Sequence, residues 1–195
     1  MHEYLENKVD DMAEFVTQQE LDSAMGWISA APHDHGPIES LCFRAGYNQR
    51  AFREHLDLTV ERGIPHERWL TAPWMTLPDG APDPRIQVSI LSKRVMDTVW
   101  RNREDTVHPG DTVVADFNTS EEVLAVGTRL ALGTAVVEVS DAFNDGCVKW
   151  KARYGAAAKA WITQEDHVKL RLRGVLCRIV QDGRVHKDDV IKVMR

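Results

Sequence analysis

Short runs rich in β-branched and other apolar residues, each cut off by glycine, proline, aspartate or asparagine, constrain this chain more than any other feature. They fall at 38–43, 57–60, 85–91, 112–117, 129–132, 135–140, 170–180 (interrupted at Gly174) and 190–194. Strands this short and this frequent leave little room for alternating β/α units. The pattern predicts a mainly β (α+β) fold, a barrel or sandwich with few helices. A length of 195 residues supplies one substantial core. Hydrophobic residues at 43% and charged residues at 28% are ordinary globular values and argue against disorder.

Helical signals are few. Thr17-Gln-Gln-Glu20 reads as a capping box, with Leu21, Ala24, Met25 and Ile28 at the spacing of one apolar helix face. The chain before the proline-bounded stretch Pro32-His-Asp-His-Gly-Pro37 is therefore expected to be an N-terminal helical extension, 1–35, packed on a barrel domain, 36–195. Ser92 is the expected cap of a second helix reaching about residue 102, with Val95, Met96 and Val99 inward. A third is expected over 148–163, bent near Gly155 and helped by Ala156-Ala-Ala-Lys-Ala160. Residues 69–83, rich in proline and carrying Trp74, read as a long loop at the barrel mouth.

The net charge of −6 gives no bulk attraction to nucleic acid, so anion binding must come from a local basic patch. The chain has no apolar run of membrane-spanning length, and its first residues are too acidic for a signal peptide. A cytoplasmic protein with neither nucleic acid nor membrane as partner is expected. Cys42, Cys147 and Cys177 form no C-x-x-C pair and read as free thiols. Cys42 and Cys177 lie in apolar, strand-like settings that bury a thiol. Cys147 differs. It follows the turn signal Asn144-Asp-Gly146 and precedes Lys149, Lys151 and Arg153, and neighbouring cations favour a thiolate.

These residues carry a family resemblance. Val126-Gly-Thr-Arg-Leu130, Leu132-Gly-Thr-Ala-Val-Val-Glu-Val139, then Cys147-Val-Lys149 and Arg153-Tyr-Gly155, resemble the core of the MOSC domain, named for the C-terminal part of molybdenum cofactor sulfurases. Weaker fragments extend the resemblance from about Gly36 to the C-terminus: 85–90, Pro109-Gly-Asp111, Ala160-Trp-Ile162 and 172–176. It implies a mostly antiparallel β-barrel with peripheral helices. It also implies a protein that handles the molybdenum cofactor (molybdopterin) or its sulfur, in a family also associated with pyridoxal phosphate binding. Two mechanisms stay open. Cys147 either carries sulfane sulfur from a donor such as a cysteine desulfurase, or ligates molybdenum in the reduction of N-hydroxylated compounds, fed by an electron-transfer partner. The alternative is a non-catalytic ligand-binding or interaction domain that retains the barrel.

The family usually carries Gly-x-x-Gly-Asp-Arg where this chain has Gly63-Ile-Pro-His66-Glu67-Arg68. The resemblance makes Arg68 a cofactor-binding candidate with His66, Glu67, Arg85 and Lys149, since a guanidinium binds an oxyanion bidentately and stacks on a planar ring. Against this stands a purely structural pairing of Arg68 with Glu67 or an aspartate. Arg85, Gln87 and Ser89 share one face of the expected strand over 85–91, turned either to solvent or to a polar cavity. Asp111 reads as a turn residue, and Asp182-Gly-Arg-Val185 as a hairpin. Lys187-Asp-Asp189 departs from the family's Val-Gly-Asp. His33 and His35, with His66 and His108 elsewhere, fix no metal-ligand spacing, and the two on the proline-flanked loop read as solvated. Nucleotide-loop, Ser-His-Asp and DNA-reading motifs are not evident.

Overall fold

A computed structural model describes residues 15–146 and 148–195. The expected helix before Thr17 and Cys147 itself lie outside the described residues. Helix α1 (Gln18–Ser29) is capped by Thr17 and Glu20 as the capping box predicts, and buries Leu21 and Ile28. The chain then enters the long strand β1 (His35–Phe43), followed by β2 (Ala51–Arg53) and β3 (His55–Leu58). After a long loop come β4 (Val88–Ser92), helix α2 (Lys93–Val99) and β5 (Val113–Ala115). Strands β6 (Arg129–Leu132) and β7 (Ala135–Val139) form a tight hairpin. The helical segment α3 (Val148–Thr163) precedes β8 (Val175–Gln181), β9 (Gly183–His186) and β10 (Val190–Val193).

Seven strands close into a barrel in the order β10-β6-β7-β8-β4-β5-β1, with β1 pairing back to β10 and β2 continuing from β1. Length lets β1 do this: His35–Pro37 pair with β10, Ile38–Leu41 with β5, and Leu41–Phe43 with β2. The barrel is mixed. The β4–β5 pair is parallel, because α2 carries the chain back across the barrel between them. Strands β3 and β9 form a separate antiparallel ribbon.

Two cores share the β4–β5 wall. Val88, Ile90, Val113 and Ala115 face the barrel interior with Leu130, Val137, Cys177 and Ile191. Leu91 and Val114 face outward under the helices, against Leu21, Val95, Met96, Tyr154 and Trp161. Burying each such aliphatic side chain is worth roughly 1.5–3 kcal/mol. Both faces of β4 are thus covered, and of the two alternatives open for Gln87 the structure takes the interior one. Its side chain is buried; Nε2 donates to the Val60 carbonyl (3.0 Å) and Oε1 accepts from Ile179 N–H (2.8 Å).

Further expectations shift. Arg85 does not begin a strand: Asp83 caps a 3-10 turn, Pro84–Ile86, and β4 starts at Val88. Ser92 precedes α2, which ends at Val99, but its hydroxyl makes no cap hydrogen bond. A 3-10 turn, Glu165–Leu170, displaces the start of the expected strand at 170. The hairpin at Asp182-Gly183 does not form, because β9 turns away from β8 and pairs with β3. The bend in α3 falls at Gly155, whose φ of 91° and ψ of 166° no helix accommodates. A Cβ there would come within 2.9 Å of Phe15.

Candidate functional site

One end of the barrel opens into a cavity of about 360 Å3 walled by residues from five parts of the chain. Arg44 and Arg50 enter from the β1–β2 connection, Arg68 and Trp74 from the long loop, and Ser89 with Pro109–Asp111 from the β4–β5 wall. Asn144, Asp145, Lys149, Trp150 and Arg153 come from either side of Cys147, and Arg173 from the approach to β8. Six of these side chains are cationic and two, Asp111 and Asp145, are anionic. On a chain of net charge −6 this is a concentrated positive field.

Buried carboxylates fix part of the cationic set. Arg173 Nη1 reaches both oxygens of buried Asp111, at 2.8 and 3.0 Å, so Asp111 is an ion-pair partner and not merely a turn residue. The Arg173 guanidinium also lies over the Trp150 ring, 4.7 Å from its centroid. Glu67 is buried and pairs with Arg44, not with Arg68: its Oε1 faces Arg44 Nε at 3.3 Å and its Oε2 accepts from Arg44 N–H. Oε1 has no aligned hydrogen bond, so that contact is an ion pair alone. The Arg68 N–H donates in turn to the Arg44 carbonyl (2.9 Å), so the Arg44 backbone that Glu67 braces also holds that of Arg68. Among the described residues the Arg68 guanidinium has neither a hydrogen-bond nor an ion-pair partner.

The other cations are held by neutral groups. Arg50 donates to the carbonyls of His108 (2.9 Å) and Pro109 (3.2 Å), and burial followed by the nearby Arg153 charge lowers its pKa. Arg153 reaches Asn48 Oδ1 at 3.3 Å. Lys149 Nζ stands 3.5 Å above the Tyr47 ring. The segment leading to Cys147 is anchored from behind, with Lys159 Nζ donating to the carbonyls of Asp145 and Gly146, both at 2.6 Å. Exposed Trp74 and Phe143 line the mouth.

The loop carrying Arg68 depends on two unusual backbone positions. Gly63 has a φ of 66°, and a Cβ there would meet the Trp69 ring at 2.9 Å. His66 adopts a φ of 70°, a left-handed conformation that residues other than glycine seldom take. The His66 ring is exposed, tilted against Phe43 at 6.4 Å, and does not line the cavity. Trp69 Nε1 donates to the Asp83 carbonyl (2.8 Å) and ties the two ends of the long loop together.

The cavity thus gathers Arg68 and Lys149 from the sequence candidates, and Glu67 acts behind its wall. Arg85 stands apart, its guanidinium held by Asp83 (2.7 Å) and Asp141 (3.1 Å), which raise its pKa further. Sequence reasoning missed Arg44, Arg50 and Arg173, whose partners lie far off in the chain. The two described cysteines are buried; burial pushes the Cys42 thiol up to about 11 and raises Cys177 further.

His108 supports the cavity wall at Pro109–Asp111. It is boxed edge-on by Phe52 (4.9 Å) and Trp100 (5.1 Å), and its Nδ1 accepts the Gly110 N–H at 3.0 Å. Burial pushes its pKa down to about 4. The unfolded chain, with an ordinary histidine near 6.5, then binds a proton that the folded chain refuses. This contribution to stability is fully present above about pH 6.5 and is lost progressively as pH falls toward about 4. The loss should be about 2–4 kcal/mol. Denaturant titrations from pH 7 to 4.5 should show a steeper fall for the native protein than for His108→Gln; parallel curves would contradict this origin.

No protein-family model matches the chain, nor does any curated protein sequence. Solved structures do. The YuaD protein from Bacillus subtilis is 17% identical, with a TM-score of 0.59 over 82% of this chain and 95% of that one. YiiM from Escherichia coli is 15% identical, with a TM-score of 0.53 over 81% of this chain and 69% of that one. A hypothetical protein gives 15% identity and a TM-score of 0.56 over 83% and 69%. At these identities the likeness is one of architecture, and in architecture it agrees with the motif resemblance: the chain has a MOSC-like fold.

Proposed function

We propose that the chain binds a phosphate-bearing, molybdopterin-type cofactor in the cationic cavity, with Cys147 as the reactive thiol. The observation that carries this reading is the convergence of Arg44, Arg50, Arg68, Lys149, Arg153 and Arg173 on one cavity whose wall is built from residues flanking Cys147 on both sides. A volume of about 360 Å3 lies in the range of small-molecule sites. The donor set fits the group: guanidinium forks pair with phosphate oxygens, and Trp74 and Phe143 at the mouth offer faces to a planar ring. Arg68, with no carboxylate against it among the described residues, is the fork available to the anion. Arg44 is aimed by Glu67, and Lys149 adds charge beside the thiol's segment. The cations that follow Cys147 in sequence, Lys149, Lys151 and Arg153, favour its thiolate.

Molybdenum, when bound, supplies two-electron redox chemistry and accepts a thiolate as a soft ligand. Sulfur carriage would use the same thiolate, with a cysteine desulfurase as donor, but has no need of a cavity lined for a phosphate. The cavity is therefore what favours cofactor binding. An electron-transfer partner belongs to this reading.

Arg68→Ala should weaken binding of pyrophosphate, used as a probe of the phosphate subsite, by about ten- to a hundredfold, the equivalent of one charge-assisted contact. Arg68→Lys should recover only part of it, lacking the planar fork. Calorimetric titration of the two variants checks this. Unchanged affinity together with a clear drop in melting temperature would make Arg68 structural.

A further inference from the structure

We propose that His55 and His186 form a two-imidazole chelate for a divalent transition-metal ion, on the β3–β9 ribbon and independent of the cationic cavity. The register places His55 opposite His186, Leu56 opposite Val185 and Asp57 opposite Arg184. Antiparallel pairs alternate between hydrogen-bonded and non-hydrogen-bonded kinds, and side chains stand closer in the second kind. The Lys187 N–H donates to the Glu54 carbonyl at 2.9 Å, which makes the neighbouring pair hydrogen-bonded. His55 and His186 therefore occupy a non-hydrogen-bonded pair. In keeping with this, the His186 N–H donates outside the ladder, to Asp189 Oδ2 at 2.7 Å.

The two rings are exposed, with centroids 5.5 Å apart and planes at 40°. The intervening residues Leu56 and Val185 point the other way, into the barrel core, and so fix the ribbon and aim both imidazoles at solvent from a rigid base. On the imidazole face the next pair is Asp57 with Arg184, joined at 2.6 and 3.1 Å. Their charges offset one another, so affinity rests on the rings. A neutral imidazole offers one ring nitrogen lone pair, a borderline donor suited to nickel, copper or zinc rather than magnesium or calcium. Among the described residues no group of three His, Cys, Asp or Glu side chains is placed to hold an ion. The ion would keep its remaining positions for water or an outside ligand.

The test is calorimetric titration of the whole chain with nickel chloride, comparing the native protein with His55→Gln, His186→Gln and, as a control for other histidines, His33→Gln. Loss of either chelating ring should weaken the tightest nickel site by roughly a hundredfold, the gain expected from tethering two weak ligands. His33→Gln should leave it intact. Saturating nickel should raise the melting temperature of the native protein and of His33→Gln but not of the other two variants. Equal affinity in all four proteins, or loss at only one member of the pair, would overturn the chelate.

Discussion

Cys147→Ser is expected to abolish molybdenum retention, and persulfide loading with it, while the protein keeps its melting temperature. Serine oxygen is a poor ligand for a soft metal centre and cannot carry sulfane sulfur. Neither of the other cysteines can substitute, since both are buried and burial holds their pKa values high. Timed alkylation read by mass spectrometry should accordingly modify Cys147 first. Earlier labelling of Cys42 or Cys177 in the folded protein would contradict the assignment, and a Cys147→Ser variant that fails to fold would make the thiol structural.

Glu67→Ala should damage stability and binding together. It removes the acceptor of the Arg44 N–H and the counter-charge of the Arg44 guanidinium, both in a site where Glu67 is nearly sealed from water. Losing a buried charged partner costs about 3 kcal/mol, which lowers the melting temperature of a chain this size by roughly 6–12 °C. Pyrophosphate affinity should fall further than in Arg68→Ala, because Arg44 and Arg68 share the brace. Glu67→Gln retains an acceptor for the backbone N–H and should recover more stability than affinity. Equal recovery of both would mean that the charge of Glu67 does not aim Arg44.

What the sequence made legible is what local chemistry decides. The capping box at Thr17–Glu20 needs four consecutive residues and the break at Gly155 needs one; both form as expected. The motif order around residues 126–155 carried the barrel itself. Legibility fails where partners are distant. Nothing near Asp182 reveals that its carboxylate caps the Val60 N–H (2.8 Å), or that the following strand will cross to β3. The reading of Gln87 stayed open between solvent and a polar interior, because alternation alone cannot separate a buried polar clamp from a wetted one. Within the cavity, Arg68 and Lys149 were found because they belong to motifs. Arg44 and Arg50 belong to none, Arg173 sits in a weaker fragment that gave it no role, and only the closure of the barrel brings the three together. Arg85 shows the converse: a motif position whose charge is taken up by Asp83 and Asp141.

The central claim is that the cationic cavity holds a phosphate-bearing molybdenum cofactor beside Cys147. Its most direct test is elemental and pterin analysis of the full chain purified from a molybdenum-replete host. Stoichiometric molybdenum, with an oxidised pterin recovered by its fluorescence on denaturation and both lost in Cys147→Ser, is the predicted result. Folded protein that carries neither molybdenum nor pterin, with sulfane sulfur on Cys147 instead, would contradict it.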